Sequence, residues 1–429
     1  MSKNIKSITN PKLSLSILTP AEIQRIHEAT LQTIEKVGVR FPSKRALEIW
    51  AAHGAEVDHE KMIVKAKPAL IEKALKSAPA GYQLGARDPQ QNCDMDGNHV
   101  FLGTDGCGVE IIDIHTGQKR TSQLSDVGDI ARVADATEEI GFHWVALSAQ
   151  DKPAETRGLH EIKTVWENST KHVQTESIYN DREARAAMEM AIAVAGSREE
   201  LRRRPVLSLM QCTAPPLGHD GGSLDAALVA AEYGVPTGFM TMAANLTTGP
   251  ATMAGNLVVG NAEVISATAL IQLAFPGAPV FYAAAQTASD LRSGAYTGGG
   301  PEDFLYGAAT NVLADFYNIP LSMGPTTDGI LSYTNTARDL FLQGAWRALE
   351  ESGAIRTLAN PTLIARSGEK ASFLAGGERP VPVASAAGAG GLRRRSGGAR
   401  ADGRPRLHRP ASGERDRGGA RDDARTGLQ

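Results

Sequence analysis

The chain predicts an α/β fold, a (β/α)8 barrel of the TIM type that is cut short after about six strands and preceded by a helical and β-rich appendage. Three observations carry this. From Ser125 onward, short apolar runs alternate with helical segments at a spacing of roughly 30–43 residues, the signature of parallel βαβ units. An open doubly wound sheet would carry a phosphate-binding glycine fingerprint after its first strand. The nearest string, Gly103-Thr104-Asp105-Gly106-Cys107-Gly108, has the wrong spacing for one. The alternation stops after about Asp328, before a seventh or eighth unit. A barrel left open in this way exposes two sheet edges and part of its inner core.

The elements follow in order. Residues 19–38 read as a helix: Thr19 is a good N-cap, Pro20 fits the first turn, Glu22 completes a capping box, and Gly38 ends it. Two shorter helices are expected from Ser43 to about His53 and from Pro68 to about Ser77. A β-rich stretch over about 81–120 carries turn signals at Asp96-Gly97 and Thr116-Gly117. Together these form the appendage, residues 1–120. The incomplete barrel spans 121–330. It starts with a helix at 125–138, and its strands begin near Gly141, His172, Val206, Pro236, Pro279 and Ile319. Helices lie between them at 183–195, 223–233, 261–274 and 303–317.

Composition narrows the function. The 44 glycines suit an enzyme with many tight strand-to-loop turns. The net charge of −3 gives no case for nucleic acid or membrane surfaces, but it hides an asymmetry. Residues 386–429 carry eleven Arg, five acids and no Lys, so the rest of the chain is the acidic part. Cys93, Cys107 and Cys212 form neither a CxxC motif nor a disulfide framework, which fits a reducing cytoplasm. The N-terminus has no apolar signal region, and no uninterrupted apolar run reaches membrane-spanning length.

In such barrels, chemistry sits on the loops at the C-terminal ends of the strands. Here those loops hold Gln150-Asp151, Glu176-Ser177, Thr213 to Gly218, Asn245 to Gly249, Gln286 to Asp290 and Gly324 to Asp328. They are rich in Gln, Thr, Asn and Gly and poor in basic residues, so a phosphate site is disfavoured. A small polar or cationic ligand fits better. The carboxylates Glu176, Asp290 and Asp328 would balance its charge, Tyr282 and Tyr296 would offer aromatic faces, and Gln211, Asn245 and Gln286 would add polar contacts. A zinc reading would require Cys212, His219 and His172 to converge from adjacent loops; no resident metal is expected. No G-x-S-x-G elbow signals a catalytic triad, and His143, beside Trp144 in an apolar strand, reads as a core histidine.

The chain resembles the trimethylamine methyltransferase family from about Leu18 to about Asp328. The stretches that carry this are LTPAEIQRIHEATLQTIEKVGVRF, VFLGTDGCGVEIIDIHTGQKR, TAPPLGHDGGSLDAALVAAEYGVP and ATMAGNLVVGNAEVISATALIQLAFPGAPVFY. The resemblance implies a (β/α)8 barrel with an N-terminal appendage and a cytoplasmic enzyme of methylamine metabolism. It implies methyl transfer from a tertiary or quaternary amine to the Co(I) of a corrinoid, held by a partner corrinoid protein rather than by this chain. Archaeal trimethylamine members carry pyrrolysine near the sixth strand, where Ile319–Asp328 here has ordinary residues. This favours the non-pyrrolysine relatives, some of which use quaternary amines such as glycine betaine. Oligomeric state is open, a homo-oligomer included.

The last quarter has a different character. Residues 331–383 hold a junction and a stretch, NPTLIARSGEKASFLAGGE, that resembles a bacterial secretin. Residues 384–429 are an Arg/Gly/Ala-rich tail with no apolar periodicity, expected to be disordered. An inactive chimera of methyltransferase and secretin fragments, or a zinc-dependent barrel enzyme, are the alternative readings.

Overall fold

A computed structural model describes residues 5–9, 17–97, 99–297, 301–323 and 332–333. The N-terminal helices are α1 (Pro20–Lys36), α2 (Lys44–Ala52) and α3 (Pro68–Leu75). The Thr19 side chain accepts from Glu22 N–H while the Glu22 carboxylate accepts from Thr19 N–H, so the expected capping box starts α1. Ser43 caps α2 through a single bond, its hydroxyl accepting from Ala46 N–H.

Seven parallel strands follow: β1 (His99–Gly103), β2 (Ile140–Trp144), β3 (His172–Thr175), β4 (Leu207–Cys212), β5 (Thr237–Thr241), β6 (Val280–Ala284) and β7 (Leu321–Met323). Each pairs with the next in chain order, which makes an open, TIM-like half-barrel. The strand absent from the sequence expectation is β1, which the reading above had left in the appendage. A hairpin, Glu110–Ile112 against Lys119–Thr121, comes after it before the first barrel helix. That hairpin makes β1 look like one arm of a meander. Ile8–Thr9 and Ser332–Tyr333 both pair antiparallel with β1. The secretin-like stretch and the arginine-rich tail lie outside the described residues.

The remaining helices are α4 (Leu124–Ala136), α5 (Arg157–Asn168), α6 (Asp181–Ala195), α7 (Arg198–Arg203), α8 (Gly221–Tyr233), α9 (Met253–Ala274) and α10 (Pro301–Tyr317). Of these, α5 and the short α7 have no counterpart in the sequence expectation. Along each strand, side chains alternate between helices and barrel interior. Leu207 and Leu209, Val280 and Tyr282 pack into helix-facing cores, whereas Phe101, Phe142, Trp144, Met210, Met240 and Phe281 fill the interior.

Helix α9 is apolar on every side and nearly all of it is buried, as such a helix must be. It is long and apolar enough to cross a bilayer, with a mean hydropathy of 1.5, yet 83% of that window is buried inside the protein. Asn256, Asn261, Glu263 and Gln272 interrupt its apolar sequence, which is why no continuous run was visible. Leu270 and Ile271 of α9 share one core with Leu31 of α1, Trp50 of α2 and Ile71 of α3. A polar network ties the same layers: the Asn261 amide donates to Thr30 Oγ1 at 3.0 Å, and the Tyr282 hydroxyl donates to Asn261 Oδ1 at 3.0 Å.

His143 confirms the core reading made for it, at a cost. It is fully buried with both ring nitrogens unpartnered, and burial pulls its pKa down to about 4. A depressed histidine contributes stability above its unfolded pKa, and that contribution disappears as pH falls through the folded value. His143→Leu is therefore expected to leave the protein as stable or about 1 kcal/mol more stable at neutral pH. It should also flatten the acid limb below about pH 6. Denaturant unfolding of both proteins across that range checks this.

Candidate active site

At the C-terminal ends of the strands, two loops and two helix starts converge. The loop after β1 holds the glycine string that is wrong for a phosphate site, and the structure gives a different reason for its glycines. A Cβ on Gly103 would meet the Phe142 ring at 2.6 Å, and one on Gly106 would meet the Trp144 ring at 2.4 Å. Only glycine lets this segment lie across the aromatic rings of β2. The Thr104 hydroxyl donates to Trp144 O at 2.5 Å, Cys107 N–H to Val145 O at 3.2 Å and Gly108 N–H to Ala146 O at 3.0 Å. These bonds deliver Cys107 to the barrel mouth in a left-handed conformation, φ 64°. Leu217 and Leu246, on the loops after β4 and β5, are also left-handed. Such strain gathers at functional loops.

The second loop is Glu176 to Tyr179, after β3. Ser177 N–H donates to Thr175 Oγ1 at 3.1 Å, Tyr179 N–H to Glu183 Oε2 at 3.0 Å, and the Gln211 amide to Ile178 O at 3.2 Å. Helix α5 starts directly against this loop, and so does α8. A Cβ on Gly158 would sit 2.2 Å from Ser177 O, and one on Gly222 would sit 2.0 Å from Tyr179 O.

This packing assembles an acidic mouth. The Glu176 carboxyl lies within hydrogen-bonding reach of the Cys107 thiol. Burial pushes its pKa up, and the like charges of Asp105 and Glu161 push the same way. The hydrogen bond with the Cys107 thiol pulls the other way. Cys212, at the end of β4, has its thiol pushed up to about 12 by burial and then by Glu176. Burial and Glu176 raise Cys107 as well. Both thiols therefore stay protonated and make poor nucleophiles. Glu161, on α5, is completely buried; its Oε1 accepts from Ala149 N–H at 2.7 Å and its Oε2 has no partner. Tyr179, on the loop after β3, and Met242, on the loop after β5, are exposed. Protonated thiols beside a carboxyl offer no activated nucleophile for attack on a carbonyl.

Of the residues singled out in the sequence, Glu176 lies in this mouth. Gln211 lies on the helix-facing side of β4, where it anchors the Glu176 loop through Ile178. Tyr282 also faces the helices, bonded to Asn261. Asn245 accepts from the Tyr306 hydroxyl and donates to Ala251 O at 3.3 Å, while the Gln286 amide donates to Asn256 O at 2.7 Å. Both stitch their loops to α9 and α10. Asp290 accepts from Arg292 N–H at 3.0 Å and the Ser293 hydroxyl at 2.7 Å, closing an exposed turn. Tyr296 is in the strand that returns from this turn and pairs with Ser289. Asp328 lies outside the described residues. Cys107, Glu161 and Tyr179 were not singled out in the sequence.

The zinc alternative separates in space. His219 is buried against the rings of Phe41, at 4.8 Å, and Phe239, at 5.5 Å. His172 bonds Ser208 Oγ through Nε2 at 2.8 Å and faces the Gly85 and Pro205 carbonyls through Nδ1. Among the described residues, no three His, Cys, Asp or Glu side chains converge as metal ligands.

Comparison with known proteins places this architecture. Residues 1–335 match the family model of trimethylamine methyltransferase (MTTB). The chain is 31% identical over 335 residues to trimethylamine methyltransferase MttB of Desulfitobacterium hafniense, covering 78% of this chain and 67% of that protein. It is 31% identical over 312 residues to the MttB of Methanosarcina barkeri, covering 72% and 63%. It is 31% identical over 310 residues to glycine betaine methyltransferase of Desulfitobacterium hafniense strain Y51, covering 72% and 64%. The chain thus spans about two thirds of the length of the curated relatives it matches. Among solved structures it aligns with the Methanosarcina barkeri monomethylamine methyltransferase at a TM-score of 0.40 and 11% identity, covering 70% and 65%. Nothing in these matches supports the secretin-like stretch, which lies beyond the matched residues. With a parallel half-barrel, its N-terminal helices and a match over residues 1–335, this chain belongs to the trimethylamine methyltransferase family.

Proposed function

We propose that the chain transfers a methyl group from a tertiary or quaternary methylated amine to the Co(I) of a corrinoid carried by a partner protein. The observation that carries this reading is Glu176: a half-buried carboxyl on the loop after β3, with the acids Asp105 and Glu161 acting on it. A partly desolvated carboxyl among other acids favours either a proton or a cationic ligand. An alkylammonium supplies the charge, and Tyr179 and Met242 supply surface for its methyl groups.

The corrinoid protein is the acceptor substrate, and its Co(I) supplies the nucleophile. This chain would contribute position and exclusion of water. Glu176 would fix the ammonium, holding one methyl carbon toward the open mouth in line with the acceptor. The leaving group is a neutral amine, so the site must hold the cation without donating or removing a proton. Protonated thiols at Cys107 and Cys212 satisfy that condition. Of the three curated relatives named above, two are trimethylamine methyltransferases and one is a glycine betaine methyltransferase, so either amine, or another of the class, is a candidate substrate here.

The test is a single-turnover reaction of the purified chain with a reduced corrinoid protein and a panel of methylated amines, followed by corrinoid absorbance. Methylation of the corrinoid protein by one member of the panel is the expected result. Absence of methylation across tertiary and quaternary amines would reject the reading.

A further inference from the structure

Glu263 is a buried acid with no part in the methyl transfer described above. It sits in the middle of α9, completely buried, and its carboxyl gathers donors from three places. Oε2 accepts from the Thr213 hydroxyl at 2.6 Å and from the Thr241 hydroxyl at 2.8 Å, and Oε1 accepts from Leu217 N–H at 2.8 Å. Thr241 ends β5, whereas Thr213 and Leu217 belong to the loop that joins β4 to α8. One carboxyl therefore ties both the root and the tip of that loop to a core helix. Burying an acid is costly, and an apolar side chain would fill the same space without that cost. What the carboxyl adds is a set of acceptors that three separate donors must meet.

The rest of the loop is held by backbone. Ala214 N–H donates to Gly218 O at 2.8 Å, Arg40 N–H to Leu217 O at 2.9 Å, and His219 N–H to Arg40 O at 3.1 Å. Leu217 has a φ of 53°, a conformation that a branched residue keeps only where its surroundings impose it. Directly after the loop, the first turn of α8 meets the segment that carries Glu176. A Cβ on Gly222 would sit 2.0 Å from Tyr179 O, and one on Gly221 would sit 2.2 Å from Pro42 O. The start of α8 is thus wedged between two backbone carbonyls. A close-packed contact of this kind transmits displacement, so a shift of the loop after β4 reaches the segment 176–179.

We propose that Glu263 is a positioning residue: by fixing the loop after β4, it sets where the first turn of α8 stands and, through that turn, where the Glu176–Tyr179 segment stands at the barrel mouth. Its consequence for cation binding rests on the functional reading above; the mechanical coupling does not. Glu263 acts only through the chain it holds. The two threonines separate this role from a general contribution to stability. Each gives one hydroxyl to the same carboxyl oxygen, but only Thr213 lies on the loop.

The test compares Thr213→Val with Thr241→Val in the full chain, by amide hydrogen exchange and by calorimetric titration with tetramethylammonium. Both substitutions keep the side-chain shape and remove one bond, so the melting curves should fall by similar amounts. In Thr213→Val, exchange at the Tyr179 and Leu217 amides should speed up and tetramethylammonium affinity should fall, each by about fivefold, the worth of one hydrogen bond. Thr241→Val should leave both close to the unmodified chain. Glu263→Gln keeps an oxygen for Leu217 N–H and an amide the threonine hydroxyls can face, so its affinity should stay within about twofold. Equal effects of the two threonine substitutions, or unchanged exchange at Tyr179 in Thr213→Val, overturn the proposal and leave the functional reading standing. If the unmodified chain binds no tetramethylammonium, the functional reading falls, and exchange at Tyr179 still decides whether Glu263 sets that segment. Should the variants not fold, the unmodified chain answers: its Leu217 and Tyr179 amides should open as one unit, and independent opening would overturn the proposal.

Discussion

Gly158→Ala is expected to destabilise the protein by about 1–3 kcal/mol and to weaken cation binding, although alanine is the better helix former. Propensity alone would favour the change by about 1 kcal/mol. Against this stands a Cβ placed 2.2 Å from Ser177 O, a backbone atom that cannot swing aside as a side chain would. Either α5 retreats, carrying Glu161 with it, or the Ser177 loop retreats with Glu176. Both outcomes open the mouth. Gly128→Ala in α4 is the control. Its Cβ would lie 3.4 Å from the side chains of Asn168 and Thr164, an ordinary contact, so propensity should win and the variant should gain stability. Denaturant unfolding and tetramethylammonium titration of both variants check the pair. Equal behaviour at the two positions would mean that the approach of α5 does not position the site.

The second large effect concerns Glu263. This side chain is completely buried in α9 and holds the loop after β4. Its Oε2 accepts from the Thr213 and Thr241 hydroxyls at 2.6 and 2.8 Å, and its Oε1 accepts from Leu217 N–H at 2.8 Å. Burial pushes its pKa up to about 7, with those three bonds pulling the other way. A folded pKa above the unfolded one means that the native state binds the proton more tightly. The contribution of this group is therefore fully present below the unfolded carboxylate pKa and is lost as pH rises through about 7. At about 1.4 kcal/mol per unit, the loss amounts to about 3 kcal/mol. Glu263→Gln cannot ionise and should lack that slope. The stability difference between the two proteins should grow by about 3 kcal/mol in favour of the variant between mildly acid and neutral pH. Parallel curves would show that Glu263 titrates as an ordinary surface carboxylate.

What the sequence discloses here follows the range of the interaction. The start of α1 was legible because its signal is local, with Thr19 and Glu22 three residues apart. The barrel class was legible because the alternation repeats. Helix α5 was not, since it starts at Arg157-Gly158 with no side-chain cap from Thr156. Missing α5 removed Glu161 from consideration. β1 was hidden because its parallel partner β2 starts 37 residues further on, across a hairpin.

Which residues point into the barrel was the hardest feature to read. Strands of a parallel sheet are covered on both faces, so their sequences lack the alternation that reveals orientation. In β4, all but the last residue are buried, and nothing in LSLMQC says that Met210 and Cys212 face inward while Gln211 faces the helices. The same ambiguity put Tyr282 among the mouth residues. Glu176 escaped it because it lies just past the strand, on the loop. Asn245, Gln286 and Asp290 also lie beyond the barrel strands, yet their polar groups bond nearby backbone and hydroxyl groups. Residue type predicts polarity there, but not the partner.

A crystal structure of the full chain with tetramethylammonium tests the account most directly. The account predicts the cation in the barrel mouth, its nitrogen about 4–6 Å from the Glu176 carboxylate. A mouth left empty at saturating ligand, or a cation seated away from Glu176, would contradict it.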